Sequence, residues 1–274
     1  MYDVSIVIPS IRTHNWNRIY DSILTSCPQH KWQLVFIGPY VDQDLLNKHD
    51  NIKHIHSWAS VTVCIQRGVL ESDAPLFFHT VDDGVLLPNA LDTCVNFYND
   101  KCRNIDVVNG RYREGVDFVS TVNGPEFPLE YWSTKYSPAY NMPGINQNWK
   151  LSLQPLMSKK LFIEMGGFDC CFEYMNHAVH DFMFRLQQAG GVIYHSPIEL
   201  THTDHMPNRS GDHAPIYDAQ DGPDTQKFIN MWYYPSNRFL IDYDNWKDYD
   251  IQWTRRFDQK YETYNDMYLA KYKE

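Results

Sequence analysis

Apolar positions along the chain follow two alternating patterns. Val4–Ile8 is an apolar run, interrupted only by Ser5, closed by Pro9 and Ser10, and Gln33–Ile37, apolar after Gln33, is a second one closed by Gly38-Pro39. Short continuous runs of this kind, bounded by turn residues, suit strands buried on both faces of a parallel sheet. Between and after them the period changes. Ile19, Ile23 and Leu24 recur at helical spacing within residues 15–27, and Val61, Cys64, Ile65 and Val69 do so within 61–70. A third buried run over 76–81 ends on Asp82-Asp83, and a helix is expected from near Pro88, because proline suits a first helical turn. Up to about residue 100 the order is therefore strand, helix, strand, helix, strand, helix. That predicts an α/β fold with a mostly parallel central sheet flanked by helices.

The second half is less regular. Residues 106–150, rich in Gly, Pro, Asn and Tyr, carry no pattern that assigns an element. Leu156-Met157 and Leu161–Met165 frame an element that ends on Gly166-Gly167. Val179, Phe182, Met183 and Leu186 predict a helix over 178–189, stopped by Gly190-Gly191. Val192–Tyr194 reads as a short strand and 201–224 as loop. The remaining segment alternates charges with aromatics, including Trp232, Tyr233, Tyr234, Trp246 and Trp253. It predicts a C-terminal helical extension packed on the sheet, with stacking on sugars or bases as the alternative use of the rings. The expected division is a domain over 1–223 and the extension over 224–274.

Composition narrows the partners. The 274 residues carry 34 acidic and 24 basic side chains, a net charge of −10. Phosphate-gripping nucleic-acid binders show a basic surplus, so this balance weighs against DNA or RNA as the main partner and suits recruitment of a divalent cation. Six cysteines without a CxxC pair read as reduced thiols of a cytoplasmic protein, in the host cytoplasm if the chain is viral. The start, MYDVSIVIPS, reads as a strand rather than a signal peptide, and no apolar run approaches the ~20 residues of a membrane span.

The acidic pair poses the chemical question. Adjacent carboxylates at the end of a buried strand repel one another, so positive charge must sit beside them. Open α/β sheets bind ligands beyond the carboxyl ends of their strands, where Pro9-Ser10, Gly38-Pro39 and Asp82-Asp83 all fall. Two carboxylates there suit a shared divalent metal, or one metal and one ribose hydroxyl. An Asx turn leading into a helix is the plainer alternative.

VSIVIPS, then QRG at 66–68, FFHTVDDGVLLPNAL at 77–91, GGFD at 166–169 and HDFMFRL at 180–186 occur in one order. Together they resemble the family 2 glycosyltransferases of GT-A fold, over roughly residues 3–205. The resemblance implies a nucleotide-sugar donor, an acceptor hydroxyl, a Mn²⁺ or Mg²⁺ ion and inversion at the sugar carbon. It implies that Pro9, Ser10 and Arg67 face the donor, that Asp82 contacts its ribose or base, and that Asp83 ligates the metal. The family's acidic motif usually has a third acid where this chain has Gly84. By the same resemblance Asp181 is the general base, His180 stands where Glu is usual, and Asp169 and His180 lie near the acceptor. His202 would complete the metal site, with His205 next in line. Arg185, four residues after Asp181, is its expected helical salt-bridge partner. The acceptor class spans a glycan, another hydroxyl compound or a hydroxymethylated DNA base.

Competing classes each need something specific. THTDH at 201–205 resembles the tail of a zinc-hydrolase motif, but position 200 is Leu where that motif starts with His. A nucleotidyltransferase needs a glycine-rich loop after the first strand, and PSIRTHNW has no glycine. A non-catalytic nucleotide or sugar binder would keep Asp82-Asp83 without needing Asp181.

Overall fold

A computed structural model describes residues 1–114, 140–203, 214–234, 238 and 241. Its strands are β1 (Val4–Pro9), β2 (Trp32–Gly38), β3 (Ile52–His56), β4 (Leu76–His79), β5 (Gly84–Leu86), β6 (Val107–Glu114), β7 (Pro155–Ser158) and β8 (Ile193–Thr203). They form one sheet in the order β3-β2-β1-β4-β7-β6-β8-β5. The pairs β1–β2, β2–β3, β1–β4 and β6–β8 are parallel, and β4–β7, β6–β7 and β5–β8 antiparallel. Six strands therefore run one way and β5 and β7 run against them. This is the α/β architecture expected, with a mixed, mostly parallel sheet.

The helices are α1 (Trp16–Ser26), α2 (Gln43–Lys48), α3 (Val61–Glu71), α4 (Ala90–Lys101), α5 (Lys159–Glu164), α6 (Met175–Gln188), α7 (Ala214–Ala219) and α8 (Thr225–Trp232). One face of the sheet packs on α1 and α4 through Trp16, Ile19, Ile23, Leu91 and Val95. The other packs on α3, α5, α6 and α8 through Val63, Phe162, Phe182 and Phe228. With both faces covered, every residue of β2 is buried, which is why it reads as a continuous apolar run. Caps fix where the helices begin: Ser60 Oγ accepts from Val63 N at 3.0 Å for α3, and Asp42 Oδ1 from Leu45 N at 3.0 Å for α2.

Several elements depart from the expectations. α4 starts at Ala90, after Asn89 in the left-handed region with φ 57°, rather than near Pro88. The short strand expected at 192–194 is the 11-residue β8, which runs through Pro197 and takes in Thr201–Thr203 of the expected loop. It is paired on both sides, by β6 and by β5. β6 lies where the sequence carries no assignable pattern. Residues 214–232 form a helical run, with a π-helical turn over Gln220–Asp224 between α7 and α8, so the expected boundary between 223 and 224 falls inside it. Trp246 and Trp253 lie outside the described residues.

Candidate functional site

The carboxyl ends of β1, β2, β3 and β4 share one edge, and beyond it opens a cleft of about 220 Å³. Pro9, Ser10 and Arg12 after β1, Gly38 and Pro39 after β2, Ser57 after β3 and Asp82 and Asp83 after β4 all line it. Gly38 is required for the strands to approach: a Cβ there would stand 1.8 Å from the Ser10 carbonyl oxygen. Ser10 N in turn donates to the Ile37 carbonyl at 2.8 Å, which extends the β1–β2 pairing to the cleft floor.

The positive partner of the acidic pair is Arg12. Its guanidinium forms an ion pair with Asp82 Oδ1. Asp82 Oδ2 accepts from Ile11 N and Arg12 N, each at 2.9 Å, and from Ser10 Oγ at 3.1 Å. Ser10 is oriented by the Trp16 indole, whose Nε1 donates to Ser10 Oγ at 2.7 Å. Asn15 Nδ2 donates to the Asp82 carbonyl at 2.9 Å, and Arg18 reaches the Asp83 carbonyl at 3.4 Å. Burial of the Asp82 carboxylate is thus balanced by backbone donors and a guanidinium, which is what buried carboxylates require.

Among the described residues no group of three or more His, Cys, Asp and Glu side chains could hold a metal ion by itself. The donors present nonetheless fit a small hard cation. Asp83 brings a carboxylate to the cleft lining, and Mg²⁺ or Mn²⁺ often binds through one or two carboxylates with substrate phosphates and water completing the shell. At Gly84 a Cβ would meet its neighbours at 3.5 Å, ordinary contact, so the third acid is missing without any steric need for glycine.

The rest of the lining comes from later in the chain. Glu173 and Tyr174 precede α6, Met175 and Asn176 open it, and Ile216 and Tyr217 project from α7. Tyr112 of β6 and Gln154 before β7 lie beneath them. Gln154 Oε1 accepts from Thr80 Oγ1 at 3.2 Å and from Thr201 Oγ1 at 2.6 Å, joining β4 to β8 across the floor. Neither Arg12 nor Glu173 belongs to a motif in the sequence. Arg12 lies three residues past Pro9, in the turn that closes the first apolar run. Glu173 lies four past Asp169, with no spacing signal to single it out.

The other expected site residues are positioned as follows. Asp181 does not line the cleft. It is wholly buried, with Oδ2 accepting from Arg185 Nε at 2.9 Å and Oδ1 from Trp232 Nε1 at 2.9 Å. Arg238 Nε lies 3.2 Å from Oδ1. Arg185 also donates to the Gly167 carbonyl at 2.6 Å, so the pair ties α6 to the Gly166-Gly167 turn. That turn depends on glycine: Gly167 has φ +67° and a Cβ there would meet Gln66 at 2.5 Å. Asp169 also stands away from the cleft lining, accepting from Arg238 Nη2 at 2.6 Å. Burial pushes its carboxyl up, and Arg238 with the Cys171 contacts more than offsets this, leaving it below the usual carboxylate range.

His180 Nδ1 contacts the Tyr140 hydroxyl at 2.8 Å. Arg67 Nη1 donates to Ser57 Oγ at 3.1 Å, one side chain removed from the cleft. His202 sits at the β8 position paired with Val85 and Arg113, between Thr201 and Thr203. Thr203 lines the cleft and Thr201 bonds Gln154, so strand alternation turns His202 to the opposite face. Its electrostatic neighbour there is Glu199. Neither His202 nor Asp181 is among the described residues that line the cleft. Asp204 and His205 lie outside the described residues. All six cysteines are free thiols.

No protein-family model matches the sequence, and no curated protein matches it. Solved structures do. The crystal structure of Staphylococcus aureus TarS residues 1–349 superposes with a TM-score of 0.54 at 11% identity, over 94% of this chain and 73% of that one. A longer TarS crystal structure gives a TM-score of 0.55 at 10% identity, over 98% of this chain and 45% of that one. TarS is a glycosyltransferase of GT-A fold, and this chain has that fold over nearly its whole length. The chain spans less than half of the longer TarS chain.

Proposed function

We propose that the protein is a glycosyltransferase that moves a sugar from a nucleotide-sugar donor to an acceptor hydroxyl, with inversion. The observation that carries this reading is the Asp82-Asp83 pair at the mouth of a GT-A fold, one carboxylate fixed by Arg12 and backbone amides and the next lining the cleft. In this reading Pro9, Ser10 and Asp82 bound the nucleoside side of the donor. Asp83 would hold a Mn²⁺ or Mg²⁺ ion, which when bound offsets the diphosphate charge and eases departure of the nucleoside diphosphate.

Glu173 is the base. The acceptor O–H proton passes to the Glu173 carboxylate as the acceptor oxygen bonds to the sugar carbon and the bond to the diphosphate breaks. Support for Glu173 is its place in the cleft lining, whereas Asp181 is buried and paired with Arg185. Incubating the protein with a panel of nucleotide sugars and Mn²⁺ tests the reading. Slow hydrolysis of one donor, releasing its nucleoside diphosphate, is expected. Binding without turnover would favour a nucleotide-sugar binder, and neither binding nor turnover of any donor would reject the proposal.

A further inference from the structure

Beside Glu173 the cleft carries an aromatic rim. Tyr174 and Tyr217 both line it, with ring centroids 6.5 Å apart and planes inclined by 37°. The two rings come from separate elements. The backbone N of Tyr174 donates to the buried Asp224 carboxylate at 2.6 Å, and its hydroxyl accepts from Asn176 Nδ2 at 2.6 Å. Tyr217 is carried on α7, which leads into the π-helical turn ending at that same Asp224. Asp224 thus holds the Tyr174 side of the rim and closes the turn that follows the helix bearing Tyr217.

The charge around the rim is negative. Among the described residues the cleft lining holds three carboxylates, Asp82, Asp83 and Glu173, against one guanidinium, Arg12, which is already paired with Asp82. With a net charge of −10 over the chain, a phosphate-rich acceptor would be repelled. A tyrosine ring offers a negative π face and a polar tip, and ligand clefts combine such apolar walls with few polar groups. A neutral pyranose matches both features: its C–H face stacks on an aromatic ring while its hydroxyl rim stays free for a base.

We propose that Tyr174 and Tyr217 form the acceptor subsite and that the acceptor is a neutral sugar ring. This rests on the transferase reading above and names its acceptor class. Tyr174 adjoins Glu173 in the chain, so a sugar seated on this rim would bring its hydroxyls to the residue assigned as base.

The test is saturation-transfer NMR on the full chain with methyl glycosides of glucose, galactose and N-acetylglucosamine, without donor or metal. Failure of the donor chemistry is thereby read separately, in the hydrolysis experiment. Wild type is expected to transfer saturation to the C–H protons of one sugar face. Tyr217→Ala should weaken binding roughly tenfold, and Tyr217→Phe, which keeps the ring, should retain it. Absence of transfer to every glycoside overturns the proposal, as does unchanged binding by a folded Tyr217→Ala protein. Stronger transfer to an oligonucleotide containing 5-hydroxymethylcytosine than to any glycoside also overturns it, in favour of a DNA acceptor.

Discussion

At the scale of single residues, neighbours separate the carboxylates into different roles. Asp82 spends its oxygens on Arg12, Ser10 and two backbone amides, so it shapes the floor. Asp83 lines the cleft as the carboxylate proposed for the metal. Asp83→Ala is therefore expected to abolish Mn²⁺-dependent binding of a nucleoside diphosphate. Calorimetry giving the same affinity with and without Mn²⁺ in the mutant, against a clear Mn²⁺ effect in wild type, checks this. Glu173→Gln keeps shape and a hydrogen bond but removes the proton acceptor. Sugar transfer should fall by roughly 10²–10⁴ with donor affinity retained, the scale of general-base assistance. Near-normal transfer in that mutant would move the base elsewhere.

At the scale of elements, α6 is the part whose role is least visible from its sequence. Its residues His177–Leu186 are all buried, enclosed by the sheet face, α3 and α8. Asp181 and Arg185 meet inside that enclosure with side chains at 0% exposure. Removing one partner of a buried ion pair strands the other, at a cost of about 3–5 kcal/mol. Asp181→Asn should thus lower the melting temperature by roughly ten degrees, at about 2–4 °C per kcal/mol for a large domain. A base role for Asp181 predicts the opposite pattern: unchanged melting and lost transfer. Thermal melts beside transfer rates distinguish the two.

For the whole molecule, pH is the lever. Burial lowers His79 to about 4, against a weaker opposing effect of its contact with the Val7 carbonyl, and burial likewise lowers His177 to about 4. His79 is enclosed at the end of β4 against Met175, and His177 stacks on Phe228 with Thr225 at its Nε2. Both are neutral in the fold, whereas the unfolded chain protonates them near the ordinary histidine value of 6.5. The unfolded state then binds more protons, so stability is complete above about 6.5 and is lost as pH falls towards about 4. Each histidine contributes on the order of 3 kcal/mol to that loss. Melting temperature should decline through this window, and His177→Gln should make the decline shallower. Identical slopes for mutant and wild type would rule out His177 as a contributor.

What the sequence determined by itself was the alternation of strands and helices in its first part and the acidic pair at a strand end. Both follow from local rules: a strand buried on two faces is apolar throughout, and a strand end is marked by turn residues and charge. Arg12 sits in the turn so marked, yet its ion pair with Asp82 closes a separation of 70 residues that no local rule spans. The later half was decided by tertiary structure. β3 hides because it is an edge strand of Ile, Lys and His, and β8 because Pro197 interrupts a strand that β5 and β6 nevertheless pair. Once β8 is a strand, its two-residue alternation sends Thr203 to the cleft and His202 away. The apolar stripe of α6 predicted one buried face, but a helix enclosed all round gives no period from which to read where Asp181 points. That Glu173 faces the cleft depends on the path of the chain between the Gly166-Gly167 turn and α6, which Arg185 and Asp224 fix through long-range contacts.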